Sequence, residues 1–154
     1  MPDVRDRLGP RFIDMLVGWR SSVLDIGCGP GSAVSGLRAL GHSAFGIDPT
    51  RVVLDMALDT LDPTWLRELA VESLSARTLA ALGKPRSYDA IMMTGNVPAF
   101  LSPGGLVRVF DSVAALLGPG GFFIVGHLEQ AAGRSAGPGP RGGQCRSHAL
   151  QSLF

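Results

Sequence analysis

The sequence predicts an α/β domain, a parallel sheet of about five strands with helices on both faces. Two observations predict it. Short apolar runs alternate along the chain with segments of helical period, and no internal repeat interrupts the alternation. The first of those runs leads into glycines at 27, 29 and 31 and then into a helix, the strand–turn–helix order of an open sheet that binds ligands at its carboxyl edge. At 154 residues the chain suffices for one domain with one sizeable core.

Taken in order, Leu8, Phe12, Met15, Leu16 and Trp19 recur at three- and four-residue steps and predict a helix over 10–19. A strand follows over 22–27. A helix over 32–41 places Val34, Leu37 and Leu40 on one face, with Ser32 as N-cap and Gly41 as stop. The second strand covers 43–48. Pro49 cannot continue a ladder but suits the start of a helix, here over 50–61. A weak third strand lies around Trp65, and Leu74, Leu79 and Leu82 mark a helix over 72–83. The fourth strand covers 88–95, with Met92 and Met93 as core on its opposite faces. A Pro- and Gly-bearing loop over 96–105 precedes a helix over 106–117, which Gly-Pro-Gly-Gly stops before a fifth strand over 122–129. Residues 131–154 lack an acidic residue and both periodicities, and read as a disordered tail.

Composition narrows the function. A net charge of +1 argues against a general nucleic-acid binder, which needs a basic face. Cys28 and Cys145, the two cysteines, imply no disulfide framework, as in a reducing cytoplasm. Residues 1–12 do not form a secretory signal, and no apolar run is long enough to cross a bilayer. The expectation is a cytoplasmic protein without membrane or metal sites.

The glycine turn depends on its context. A dinucleotide fingerprint would need glycine at 32, where Ser32 stands, and the third glycine arrives one residue early at Gly31. Asp25 precedes the first glycine by two residues. "VLDIGCGPG" (23–31) resembles the first motif of the class I S-adenosylmethionine-dependent methyltransferases. The resemblance runs from about Ser21 to Glu129 through "AFGID", "YDAIMMTGN" and "LLGPGGFFIVGH". It implies a three-layer Rossmann-like fold, S-adenosylmethionine as cofactor, and direct transfer of its methyl group to an acceptor.

The resemblance also implies roles. Asp25 would hold the cofactor's amino group. Gly27, Gly29 and Gly31, with Cys28 among them, would surround its methionine part and ribose. Asp48, followed by Pro49, would accept both ribose hydroxyls, a task for which a carboxylate has two oxygens. Glu68 and Leu69 match the residues beside adenine, and Gly95 and Asn96 those near the transferred methyl. Cys28 fills a position that needs a small residue, not a nucleophile. His127, at the end of the fifth strand, and Asn96 are the candidate catalytic residues, with Glu129 behind them; imidazole titrates near neutral pH.

"TGNVPAF" lacks the Asn/Asp-Pro-Pro-aromatic pattern of methylases of planar amino groups, so a small-molecule acceptor is expected. Two alternatives remain: a remnant that binds the cofactor without turnover, and a nicotinamide-dependent oxidoreductase, which Asp25 and the glycine spacing disfavour. The family's last two strands have no counterpart after Glu129, as if the chain were truncated or frameshifted. An apolar fifth strand would then be left as an edge through which two copies could pair. The organisation expected is a helical segment over 1–20, the binding domain over 21–129 and an atypical tail over 130–154.

Overall fold

A computed structural model describes residues 4–95 and 97–126. Five parallel strands form one sheet: β1 (Ser22–Ile26), β2 (Ser43–Asp48), β3 (Leu66–Glu68), β4 (Tyr88–Met93) and β5 (Leu117–Val125). Their order is β3-β2-β1-β4-β5. The chain runs outward from β1 to β3 and returns to the other side of β1 for β4, so the strand order reverses between β1 and β4. Ligands of open α/β sheets bind at such a reversal, outside the carboxyl ends of the strands.

Both faces are covered. One packs Leu24, Ile26, Ile47, Ile91 and Met93 under α4 (Ala76–Ala81), α5 (Pro103–Leu116) and a 3₁₀ turn over Val71–Ser73. The other packs Val23, Ala44, Ala90 and Met92 under α1 (Val4–Leu16), α2 (Ser32–Ala39) and α3 (Arg51–Asp55). Met92 and Met93 thus enter opposite cores, as their alternation requires.

The elements depart from the periodicity in several places. First, α1 begins at Val4 and carries Pro10 inside it. Its Phe12 and Met15 face outward, as does Trp19 beyond its end, while Ile13 is buried with Val17, just past the helix, packed against the same core. Tertiary contacts decide this. Pro10 lies over Gly36, where an added Cβ would come within 2.8 Å of the proline ring. Asp14 pairs with the buried His42 ring across 2.9 Å, fixing which side of α1 meets the sheet. Second, the N-cap of α2 is Gly31 in the left-handed region, and Ser32 is the first helical residue. Third, the predicted helices over 50–61 and 72–83 are short. Turns follow Asp55, and the 3₁₀ turn gives way to Ser75, whose side chain caps α4 through Thr78 N. Fourth, β5 starts at Leu117, and the Gly-Pro-Gly-Gly segment lies within it as an irregularity. Tyr88 pairs with Leu117 but Ala90 already with Phe122. The loop after β4 holds a further 3₁₀ turn, Val97–Phe100, and α5 begins at Pro103 behind the Ser102 cap.

Candidate functional site

The glycine turn joins β1 to α2 at the carboxyl edge of the sheet. Gly27, Gly29 and Gly31 have φ of 74°, 53° and 79°, where a side chain is strained. They face different surroundings. A Cβ on Gly27 would overlap Val97 Cγ2 in the segment after β4. One on Gly31 would lie 2.8 Å from Leu61 and 2.9 Å from Leu66. One on Gly29 would find only Val53, at 3.9 Å. Packing against the protein itself therefore holds Gly27 and Gly31 to glycine, and Gly29 alone turns its backbone to nearly open space.

The turn is fixed from within. The Gly27 and Cys28 N–H groups both donate to Ile47 O, at 2.8 and 3.1 Å, and Gly31 N donates to Cys28 O at 3.0 Å. Gly29 N donates to Asp48 Oδ2 at 3.0 Å, while Thr50 N donates to Asp48 Oδ1 at 2.8 Å. Asp48 thus ties the turn to the start of α3. Each of its oxygens keeps one acceptor position, enough for two neighbouring hydroxyl donors.

Asp25 lies one strand away, in register with Gly46 on β2 and Met92 on β4. It is buried, and its Oδ1 has no hydrogen-bond partner among the described residues. Burial, with the charge of Asp48 adding to it, raises its pKa to about 7. Neither acid has an ion-pair partner among the described residues. The two buried acids thus stand without a cation among the described residues.

The other sequence-predicted residues divide. The Cys28 side chain joins the core beside α2; burial raises its thiol pKa, which fits packing and not nucleophilic chemistry. Gly46 makes room for it, since a Cβ there would sit 2.6 Å from Cys28. Pro49 is exposed beyond β2. Leu69 packs on the core, and its N–H bonds Asp48 O at 3.1 Å. Glu68 reaches into solvent near Arg51, 3.9 Å away. A cavity of about 150 Å³ between α3 and β3 includes Glu68 and Arg51 in its wall but no residue of the glycine turn. Gly95 takes φ of 76° at the end of β4, with open space where a Cβ would be. Asn96, His127 and Glu129 lie outside the described residues. Neither Val97 against Gly27 nor Thr50 N on Asp48 was legible from residue pattern. Both contacts depend on loop conformation rather than on residue pattern.

A parallel sheet of this order, with a glycine turn and an acid at the end of each of its first two strands, defines the class I S-adenosylmethionine-dependent methyltransferase fold. Residues 23–121 match the family model described as "Methyltransferase domain", and the chain belongs to that family. It is 27% identical over 125 residues to a ubiquinone biosynthesis O-methyltransferase of Nitrosomonas europaea, covering 77% of this chain and 49% of that protein. It is 30% identical over 114 residues to the protein of the same name from Albidiferax ferrireducens, covering 71% of this chain and 42% of the relative. The matches span less than half the length of both relatives. Among solved structures, a TehB-like SAM-dependent methyltransferase from Corynebacterium glutamicum superposes with a TM-score of 0.64 at 24% identity, covering 80% of this chain and 62% of that one. The glycopeptide N-methyltransferase MtfA, in complex with S-adenosylmethionine, gives 0.62 at 14%, covering 78% and 53%. The family membership sets aside the nicotinamide-dependent alternative. No helix among the described residues is long and apolar enough to cross a membrane.

Proposed function

We propose that this chain binds S-adenosylmethionine at the Asp25–Gly29–Asp48 crevice and transfers its methyl group to a small-molecule acceptor. The observation that carries the reading is the pair of buried acids with spare acceptor capacity, Asp25 with an orphaned oxygen and Asp48 with one free position on each oxygen. The cofactor has the complementary groups, an ammonium for Asp25 and two ribose hydroxyls for Asp48. The bound sulfonium supplies an electrophilic methyl carbon. The protein's task is then to place donor and acceptor in line, which can lower the barrier by several kcal/mol.

The shared name of the two curated relatives points to an oxygen as the accepting atom. Gly95, just after β4 beside the strand-order reversal, supports this reading as a residue that would border the reacting methyl. Asn96 next to it and His127 beyond β5 are the residues to test for acceptor positioning and proton removal.

Isothermal calorimetry with S-adenosylmethionine and, separately, NAD tests the cofactor half. S-adenosylmethionine should bind and NAD should not; the reverse result ends the reading. A radiolabelled-methyl assay against a pool of small hydroxylated metabolites tests the transfer half. Binding without transfer would leave a cofactor-binding protein and remove the catalytic claim.

A further inference from the structure

Asp25 and Asp48 stand at the ends of adjacent strands with no cation between them, a costly arrangement unless one of the two is neutral. Asp48 accepts two backbone N–H bonds, at 3.0 and 2.8 Å. Asp25 accepts none at Oδ1 and is enclosed. The neutral partner is therefore Asp25.

Resting on the cofactor reading above, we propose that binding of the cofactor's ammonium end expels a proton from the Asp25 carboxyl. The free chain holds that carboxyl protonated in place of a counter-charge. The arriving ammonium supplies the counter-charge, the O–H bond of Asp25 breaks, and the proton leaves to solvent. The groups that face Asp25 are Asp48 on β2 and the Cys28 thiol in the turn, while β4 presents Met92, which does not titrate. Nothing in that set supplies a positive charge before the ligand does. The free carboxyl titrates at about 7, so the release is nearly complete at pH 6 and fades above neutrality.

The consequence is a pH-dependent affinity. Below pH 7 the observed association constant should rise up to tenfold per pH unit, the slope set by one proton released per cofactor bound. The site also discriminates by charge: a ligand carrying the adenosine and sulfur but no ammonium should bind without moving a proton.

The experiment is calorimetry on the full chain at pH 6 in buffers of differing ionisation enthalpy. S-adenosylmethionine should release close to one proton. 5′-Methylthioadenosine, which lacks the amino-acid end, should release almost none. Asp25→Asn should bind S-adenosylmethionine with heat independent of the buffer, and circular dichroism checks that this variant folds. If the wild type binds S-adenosylmethionine with buffer-independent heat, or 5′-methylthioadenosine releases as much proton, the inference is wrong and the cofactor reading stands. If S-adenosylmethionine fails to bind at any pH from 5.5 to 8, both are wrong.

Discussion

The two sides of the strand-order reversal are built differently. On the β1–β2 side every N–H of the glycine turn has a partner inside the chain, and Asp48 bonds both the turn and α3. On the β4–β5 side the segment after β4 is held chiefly by apolar packing, with Val97 and Leu101 against the core, while exposed apolar side chains occur on both sides, Val52 (74%) and Met56 (69%) on the first and Phe100 (83%) and Val107 (60%) on the second. The first side is thus fixed by its own hydrogen bonds. The second side rests on side-chain packing. If cofactor and acceptor divide between the two sides as proposed, their binding should respond to different mutations.

The largest effect expected lies in the buried acids and is read in stability rather than activity. The pKa of Asp25 is raised in the folded chain from 3.8 to about 7, so the folded state holds a proton that the unfolded state has lost over that window. The stability of the ligand-free protein should therefore fall as pH rises from about 4 to 7, then level off, since stability declines wherever the folded state binds more protons. The contribution amounts to at most about 4 kcal/mol. Urea titrations of the wild type and Asp25→Asn across this range isolate it, because the other carboxylates titrate in both. Parallel curves for the two proteins would show that Asp25 is not protonated.

Asp48→Ala comes next. It removes the acceptor of two backbone N–H groups and of the proposed ribose contacts. Hydrogen bonds to a charged group contribute roughly 1.5–3 kcal/mol each, so S-adenosylmethionine affinity should fall about ten- to a hundredfold or more. Thermal stability should fall with it. Asp48→Asn keeps one acceptor oxygen and should lie between the two. An affinity loss without any loss of stability would show that the bonds to Gly29 N and Thr50 N contribute little.

Gly27→Ala breaks the junction between the two sides. Its Cβ would overlap Val97, and its positive φ disfavours any side chain, so a loss of about 1–3 kcal/mol is expected. Val97→Ala added to it should recover part of that loss. Additive effects in this double-mutant cycle would mean that the backbone strain alone explains the glycine.

These contrasts also show what the sequence could reveal. The strand-and-helix alternation and the acids Asp25 and Asp48 were legible because period and motif are local properties. The inward face of α1 was not. Phe12, Met15 and Trp19 have the helical spacing of a core face, yet Pro10 against Gly36 and Asp14 against His42 turn Ile13 inward. The role of the glycines was legible only in part. The pattern shows that glycine is present, but only the fold shows that Gly27 answers to Val97 and Gly31 to Leu61 and Leu66. The motif marks Cys28 as part of the turn, but only the fold shows that its side chain fills the space left by Gly46.

The smallest thermodynamic effect belongs to the open side. β5 has no strand on its outer edge among the described residues, and Phe122 and Val125 lie partly exposed on its two faces. An unpaired apolar edge is a template for pairing with another chain, and we propose a second copy as that partner. Phe122→Ser with Val125→Thr removes apolar surface that is already partly in water, so monomer stability should change by no more than about 1 kcal/mol. S-adenosylmethionine affinity should stay within about twofold, because neither residue borders the Asp25–Gly29–Asp48 crevice. Sedimentation velocity over a hundredfold concentration range should show self-association in the wild type and its loss in the double variant. A wild type that stays monomeric throughout would remove the edge-pairing proposal. A double variant that loses cofactor affinity would show that the two sides of the sheet are coupled after all.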